Sequence, residues 1–129
     1  MTTILVVDDH FETREFVSVA LEVAGPKLLF AETGQEALRL AVEQHPDIVL
    51  LDIKLRHSPP DGLDVCRLLK QNPDTCDIYI IIMSARVQED DIKAARNAGA
   101  DDYLPKPFGV SELLEKIFGH PPLRPNGGG

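Results

Sequence analysis

Five polar side chains follow short apolar runs in this sequence, and their types suggest chemistry on a phosphoryl group. They are Asp8, Asp9, Asp52, Ser84 and Lys106. The adjacent carboxylates at 8 and 9 repel each other, increasingly so as water is excluded, and a cation is therefore expected beside them. Mg²⁺ prefers such oxygen ligands. A carboxylate, a divalent cation, a hydroxyl and a lysine make a phosphoryl-transfer site, in which Asp52 is the natural nucleophile because an aspartate can form an acyl phosphate.

The elements that carry these residues alternate between short apolar runs and amphipathic segments. Several runs are continuously apolar, which is typical of parallel strands covered on both faces. The segments between them have helical spacing, as at Val110, Leu113 and Leu114. The pattern predicts an α/β fold, a doubly wound (βα)5 unit with one parallel five-stranded sheet. The predicted strands cover residues 4–7, 27–31, 47–51, 77–83 and 102–104.

The carboxyl ends of the strands are where such folds bind their ligands. Asp8 and Asp9 leave the first predicted strand at that end, and Asp52 and Ser84 leave the third and fourth. Lys106 lies just past the fifth strand. Four strands therefore bring the five side chains to one edge. We expect the lysine to reach a bound phosphoryl oxygen but to lie too far along the chain to neutralise the carboxylates alone.

Other titratable residues receive a structural interpretation. Asp101 and Asp102 precede the fifth predicted strand, so we expect them at the opposite edge, in solvent. The four histidines, His10 among them, show no metal-ligand spacing and are interpreted as surface or packing residues. Cys66 and Cys76 form no CxxC motif, which favours packed thiols in a reducing compartment.

Composition limits the class of protein. The chain has 129 residues, enough for one domain with a real core, which we place at 1–119 with a flexible tail at 120–129. A net charge of −8 argues against nonspecific binding to nucleic acid. No apolar run is long enough to span a membrane, and the N-terminus does not have the pattern of a secretory signal. We therefore expect a cytoplasmic protein.

The motifs VVDDH, LLDIKL, MSAR and YLPKPF resemble those of the receiver domain of two-component response regulators, over residues 3 to about 118. The resemblance implies a flavodoxin-like three-layer sandwich with strand order 2-1-3-4-5. It also implies a phosphorelay switch, with no enzymatic activity beyond Mg²⁺-dependent self-phosphorylation and self-dephosphorylation. The implied partners are a histidine kinase or histidine phosphotransfer protein, and a downstream protein at the face of helix 4, strand 5 and helix 5. No direct contact with nucleic acid or membrane is implied.

The resemblance also assigns roles in phosphoryl transfer. Asp52 would accept the phosphoryl group from a phosphohistidine. Mg²⁺, or Mn²⁺ in its place, would be bound by Asp9, by Asp52 and by the main-chain carbonyl of Lys54, with Asp8 helping through a water molecule. Lys106 would pair with the phosphate, and the peptide bond between this lysine and the following proline would be cis.

Two further residues would transmit the signal by the same resemblance. Ser84 would be the switch hydroxyl that moves onto the phosphate. Tyr103 would be the switch aromatic that turns inward behind it. Without the family pattern, the tyrosine would be interpreted as a half-exposed aromatic on an edge strand.

The sequence departs from the family pattern after Asp52. Arg56 stands where a proline is usual, and Gly62 comes ten residues after the aspartate rather than eight, so this loop is about two residues longer. Lys54 and Arg86 occupy the two positions that flank the path of the attacking water in this family. Both are basic, and we predict that they slow hydrolysis of the acyl phosphate. The alternative is that they are two mobile surface charges.

Two other functions stay open. The chain could be an interaction domain that keeps the receiver fold without being phosphorylated, although the intact site residues argue against this. It could also be a Mg²⁺-dependent phosphatase-like enzyme with an aspartyl nucleophile. Such enzymes usually have a DxD motif, and Lys54 stands where the second aspartate after Asp52 would be. We favour a stand-alone signalling protein over a piece of a longer one.

Overall fold

The computed structural model describes residues 2–55, 59–85 and 88–119. Within these residues, five strands alternate with five α-helices, which confirms the predicted (βα)5 pattern. The strands are β1 (Thr3–Val7), β2 (Lys27–Ala31), β3 (Ile48–Asp52), β4 (Tyr79–Ser84) and β5 (Asp102–Pro105). The helices are α1 (Phe11–Leu21), α2 (Gly34–Gln44), α3 (Gly62–Gln71), α4 (Glu89–Asn97) and α5 (Val110–Phe118), and a 3-10 turn (Glu22–Ala24) follows α1.

The five strands form one parallel sheet in the order β2-β1-β3-β4-β5, as the resemblance implied. The register sets the carboxyl ends of the central strands side by side. Val7 is paired with Leu51, Asp52 with Met83, and Ser84 with Pro105. Residues that leave β1, β3, β4 and β5 at these ends therefore meet at one edge.

Both faces of the sheet are covered, which explains the continuous apolar runs. On β1, Leu5 and Val7 belong to the core on one side of the sheet, and Ile4 and Val6 to the core on the other. Helices α2, α3 and α4 contribute Ala41, Leu69 and Ala95, among other residues, to the first core, and α1 and α5 contribute Val17, Leu21, Leu113 and Ile117 to the second. The result is the predicted three-layer sandwich.

The amino edge of the sheet contradicts one sequence prediction. Asp101 and Asp102 are each only 4% exposed, so their assignment to solvent was wrong. Lys70 of α3 reaches over the edge and places its Nζ 2.8 Å from Asp101 Oδ2, while Lys116 of α5 places its Nζ 3.0 Å from Asp102 Oδ1. Long lysine stems from the flanking helices make burial of these carboxylates possible because each charge is paired.

Three parts of the sequence interpretation lie outside the described residues. They are the inserted part of the loop at 56–58, the position of Arg86 and the tail at 120–129. Among the helices that are described, none is long and apolar enough to cross a membrane.

Candidate functional site

The end of β1 places a buried carboxylate against a lysine that follows β5. Asp8 is fully buried, and its Oδ2 lies 2.8 Å from Lys106 Nζ. The same Nζ is 3.5 Å from Oδ2 of Asp52, which is 5% exposed at the end of β3. The lysine is held in place by its main chain, since its N–H donates to the carbonyl of Ser84 at 2.7 Å. The prediction for this lysine was a phosphoryl contact alone, whereas in the structure it also pairs directly with Asp8.

Burial and the neighbouring charges shift the pKa of Asp52 and the pKa of Asp8 in opposite directions. Burial and the neighbouring charge of Asp8 raise the pKa of Asp52 to about 6, against the opposing effects of Lys106 and of the Lys54 N–H group. Burial also acts to raise the pKa of Asp8, but the hydrogen bonds from Lys106 and from the His10 N–H outweigh it and leave that pKa lowered. Lys106 thus pairs more closely with Asp8, at 2.8 Å, than with Asp52, at 3.5 Å.

The side chains at this edge have the chemistry of a divalent cation site. Asp8, Asp9, His10 and Asp52 each offer a ligand atom, and these four atoms all lie within 4.8 Å of one another. Three carboxylates suit a hard ion such as Mg²⁺. His10 was predicted to be a surface or packing residue because the histidines show no metal-ligand spacing. The available signal was its position directly after the acidic pair at the carboxyl end of β1.

A cavity of about 340 Å³ opens at the same edge and is large enough for a phosphoryl group. It is lined by Asp52, Lys54, Ser84, Lys106 and His10, among others. The hydroxyl residue among them is 1% exposed at the end of β4. The structure therefore brings the predicted carboxylate, hydroxyl and lysine together around one space.

Comparison with known proteins identifies the family. The model of the response regulator receiver domain matches residues 4–118. The chain belongs to the receiver domain family of two-component response regulators. It is 42% identical over 115 residues to the phosphate regulon transcriptional regulatory protein PhoB of Pseudomonas aeruginosa, an alignment that covers 89% of this chain and 49% of that protein. The KDP operon transcriptional regulatory protein KdpE of Escherichia coli is 41% identical over 117 residues, which are 91% of this chain and 50% of that protein.

The solved structures give the same result for the fold. The chemotaxis protein CheY4 of Vibrio cholerae superposes with a TM-score of 0.83 at 25% sequence identity, over 91% of this chain and 96% of that chain. The receiver chain described here spans about half the length of the curated relatives it matches. Its likeness to CheY4, by contrast, extends over nearly all of that protein.

The two residues that the resemblance assigns to the switch occupy different surroundings. Ser84 lines the cavity, whereas Tyr103 is 4% exposed and belongs to the core on the side of α2, α3 and α4. The tyrosine is therefore not the half-exposed edge aromatic that the sequence alone suggested. The peptide bond between Lys106 and Pro107 is cis, as the resemblance implied.

The loop that follows Asp52, the predicted acceptor, comes back close to that residue at Gly62. The N–H of Gly62 donates to the carbonyl of Ile53 at 3.1 Å. A Cβ atom added at Gly62 would lie 2.0 Å from the carbonyl oxygen of Asp52 and 2.6 Å from Ile53 Cα. Only glycine allows this close approach of two backbone segments.

We expect Gly62→Ala to lower the free energy of unfolding by about 1–3 kcal/mol, because the backbone that carries Asp52 must move to admit the methyl group. Urea unfolding of the two proteins measures the change. Gly109→Ala is the matched control, since among the described residues its Cβ would have only Glu112 Oε1, at 3.7 Å, as a neighbour within 4 Å. Equal effects of the two substitutions would contradict the close approach.

Proposed function

We propose that this receiver domain is a phosphorylation-controlled switch in which Asp52 accepts a phosphoryl group from a histidine kinase or a histidine phosphotransfer protein. The observation that carries the proposal is the shared cavity. It places the carboxylate of Asp52, the hydroxyl of Ser84 and the ammonium of Lys106 around one space of phosphoryl size. Each of these groups has a distinct role in phosphoryl transfer.

In the proposed reaction, a carboxylate oxygen of Asp52 attacks the phosphorus of the donor phosphohistidine. A P–O bond forms as the P–N bond breaks, and the electron pair of that bond stays on the imidazole nitrogen of the donor. The nucleophile must be ionised, and a pKa of about 6 leaves it mostly so at neutral pH. Lys106 is 3.5 Å from Asp52 Oδ2 and is placed to pair with a phosphoryl oxygen. Ser84 would donate a hydrogen bond to another.

Mg²⁺, or Mn²⁺, fits the acidic part of the site. Asp9, Asp52 and the main-chain carbonyl of Lys54 would hold it, and Asp8 would act through a water molecule. The observation that supports this is the set of carboxylate oxygens within 4.8 Å of one another. When bound, such an ion offsets the negative charge of the phosphoryl oxygens and orients them.

The signal would leave the site through Ser84 and Tyr103. Contact between the serine hydroxyl and the phosphate would bias a two-state element in which the tyrosine takes part. By resemblance, a downstream protein reads the result at the face formed by α4, β5 and α5. Because the chain has a net charge of −8, we propose that it makes no direct contact with nucleic acid. We place the exchange in the cytoplasm and assign no enzymatic turnover beyond self-phosphorylation and self-dephosphorylation.

The test is incubation of the whole chain with Mg²⁺ and acetyl phosphate, followed by intact mass spectrometry. We expect one acid-labile phosphoryl group, which is absent in Asp52→Asn. Asp77→Asn is the control because that carboxylate is exposed before β4, at the opposite edge of the sheet. A wild-type chain that gains no phosphoryl group would support the purely structural alternative. Repeated turnover of the donor would indicate the phosphatase-like enzyme.

Two basic residues are predicted to lengthen the lifetime of the phosphorylated state. Lys54 lines the cavity. By the resemblance alone, Arg86 occupies the other position that flanks the path of the attacking water. We expect the double variant Lys54→Ala, Arg86→Ala to lose its phosphoryl group several-fold faster, because the path of the attacking water is less crowded. The half-life is measured after rapid removal of acetyl phosphate. A half-life that shortens little would show that both residues are mobile surface charges.

A further inference from the structure

His10 stands closer to the acidic residues of the site than its sequence position suggests. Its Nδ1 is 3.1 Å from Asp8 Oδ1 and 3.3 Å from Asp9 Oδ1. We propose that His10 is a ligand of the metal site and gives it a preference for divalent transition metals, such as Mn²⁺ and Co²⁺, over Mg²⁺. This inference rests on the metal site of the proposed function and adds a nitrogen donor to it.

The local geometry allows one ion to contact the imidazole and the carboxylates together. Two ligand atoms that are each about 2.1 Å from one ion lie up to about 4.2 Å apart. The ligand atoms of Asp8, Asp9, His10 and Asp52 are within 4.8 Å of one another. Small side-chain rotations would therefore bring the carboxylates of Asp9 and Asp52 and the imidazole to a shared ion, with Asp8 near enough to act through a water molecule.

The two oxygens of Asp8 separate the imidazole from the competing lysine. Oδ1 faces His10, whereas Oδ2 accepts the hydrogen bond from Lys106 at 2.8 Å. An ion bound by the carboxylate of Asp9 and by the imidazole, with Asp8 Oδ1 reached through a water molecule, would thus not need to displace the ammonium group. Nδ1 would bind the ion as the tautomer that carries its proton on Nε2, and the metal bond would replace the contact of Nδ1 with the carboxylate oxygens.

The main chain holds His10 in this position. Its N–H donates to Asp8 Oδ1 at 2.9 Å, and Arg14 Nη1 donates to the carbonyl of Asp8 at 2.8 Å, so the turn between β1 and α1 is fixed on both sides of the acidic pair. The ring itself is 43% exposed and lines the cavity. An ion that enters from solvent therefore meets the imidazole at the mouth of the site.

The imidazole nitrogen of His10 predicts which ions the site binds more tightly. Imidazole nitrogen suits the transition metals, whereas Mg²⁺ takes oxygen ligands and keeps several waters. Loss of the imidazole should therefore weaken transition-metal binding and leave Mg²⁺ binding nearly unchanged. An imidazole that acted only as a general positive charge, or only shaped the turn, would change all divalent ions by a similar factor.

The experiment is isothermal titration of the whole chain with MgCl₂ and with MnCl₂, for wild type, His10→Gln and His45→Gln. The last variant is the matched control because His45 is a half-exposed imidazole that pairs with Asp77 away from the site. We expect His10→Gln to weaken Mn²⁺ binding about tenfold or more, by analogy with the loss of groups around known metal ligands. We expect it to change Mg²⁺ binding less than about twofold and His45→Gln to change neither. Equal losses for the two ions, or no loss of Mn²⁺ affinity, would overturn the proposal.

A spectroscopic measurement separates ligation from an indirect effect. Long-range proton–nitrogen spectra of the ¹⁵N-labelled chain resolve the two ring nitrogens of each histidine. Addition of one equivalent of Zn²⁺ should shift Nδ1 of His10 to a value typical of a metal-bound nitrogen, and an unshifted Nδ1 would exclude it as a ligand. Wild-type phosphoryl uptake in Mg²⁺ alone is measured in parallel. If the wild type gained no phosphoryl group in Mg²⁺, the proposed function would be contradicted. The metal preference would still be decided by the titrations and the nitrogen spectra.

Discussion

Asp101→Ala is expected to lower the free energy of unfolding by about 3–5 kcal/mol, although Asp101 precedes β5, at the edge opposite the phosphoryl site. The carboxylate accepts hydrogen bonds from Lys70 Nζ at 2.8 Å and from the N–H of Ile80 at 2.9 Å. The same ammonium group donates to the carbonyl of Ile78 at 2.7 Å. Removal of the carboxylate leaves a partly buried cation without its counter-charge and the N–H group of Ile80 without its acceptor, and both losses are costly.

Urea unfolding at neutral pH measures this loss. Glu43→Ala is the control, since Glu43 forms an exposed i,i+4 pair with Arg39 on α2 and is expected to contribute less than about 1 kcal/mol. A further comparison is Lys70→Met in the Asp101→Ala background, which removes the cation as well. We expect this second change to restore part of the lost stability. Similar small effects of Asp101→Ala and Glu43→Ala would contradict the buried network.

Asp52→Asn is expected to raise the free energy of unfolding of the metal-free chain by about 2–3 kcal/mol at pH 7. The pKa of Asp52 rises from 3.8 to about 6 on folding, so the folded state binds this proton more tightly than the unfolded state does. The stability of the wild type therefore falls as pH rises from about 4 to about 6. Each pKa unit corresponds to about 1.4 kcal/mol, and the pKa of about 6 already includes the opposing effect of Lys106.

The pH dependence distinguishes this effect from a general change in packing. Urea unfolding in the presence of EDTA should show a stability difference that is small at pH 4 and complete at pH 7. Asp74→Asn, a substitution of an exposed carboxylate that follows α3, is the control for the change of charge alone. Addition of Mg²⁺ should stabilise the wild type more than Asp52→Asn, because the ion binds the ionised carboxylate. If Asp52→Asn were less stable than the wild type at pH 7 without metal, this would contradict the destabilising effect that we assign to the ionised carboxylate of Asp52.

The fold and the site edge could be predicted because they depend on periodicity and on a rule of topology. Continuous apolar runs such as residues 4–7 require two covered faces, and parallel strands bring their carboxyl ends together. Asp52 and Lys106 follow different strands at that end. The strand pattern alone therefore predicts that their side chains lie close together. Their 3.5 Å separation agrees with it.

The predictions that were wrong concern side chains whose partners belong to an element that is distant in the sequence. Asp101 was assigned to solvent because the sequence does not show that Lys70, 31 residues away, reaches over the amino edge. Tyr103 lies on an edge strand, yet it is buried because α4 and its neighbours cover that face. His10 was missed for a different reason: a single imidazole beside two carboxylates has no spacing to recognise.

The central claim, that Asp52 is the residue that accepts the phosphoryl group, is tested most directly by trapping the acyl phosphate. Borohydride reduces an aspartyl phosphate to homoserine, which stays in the chain through proteolysis and can be located by peptide mass spectrometry. After treatment with acetyl phosphate and Mg²⁺, we predict homoserine at position 52, in an amount equal to the phosphoryl group gained. A chain that gains the group but carries homoserine at another aspartate, or at none, would contradict the account.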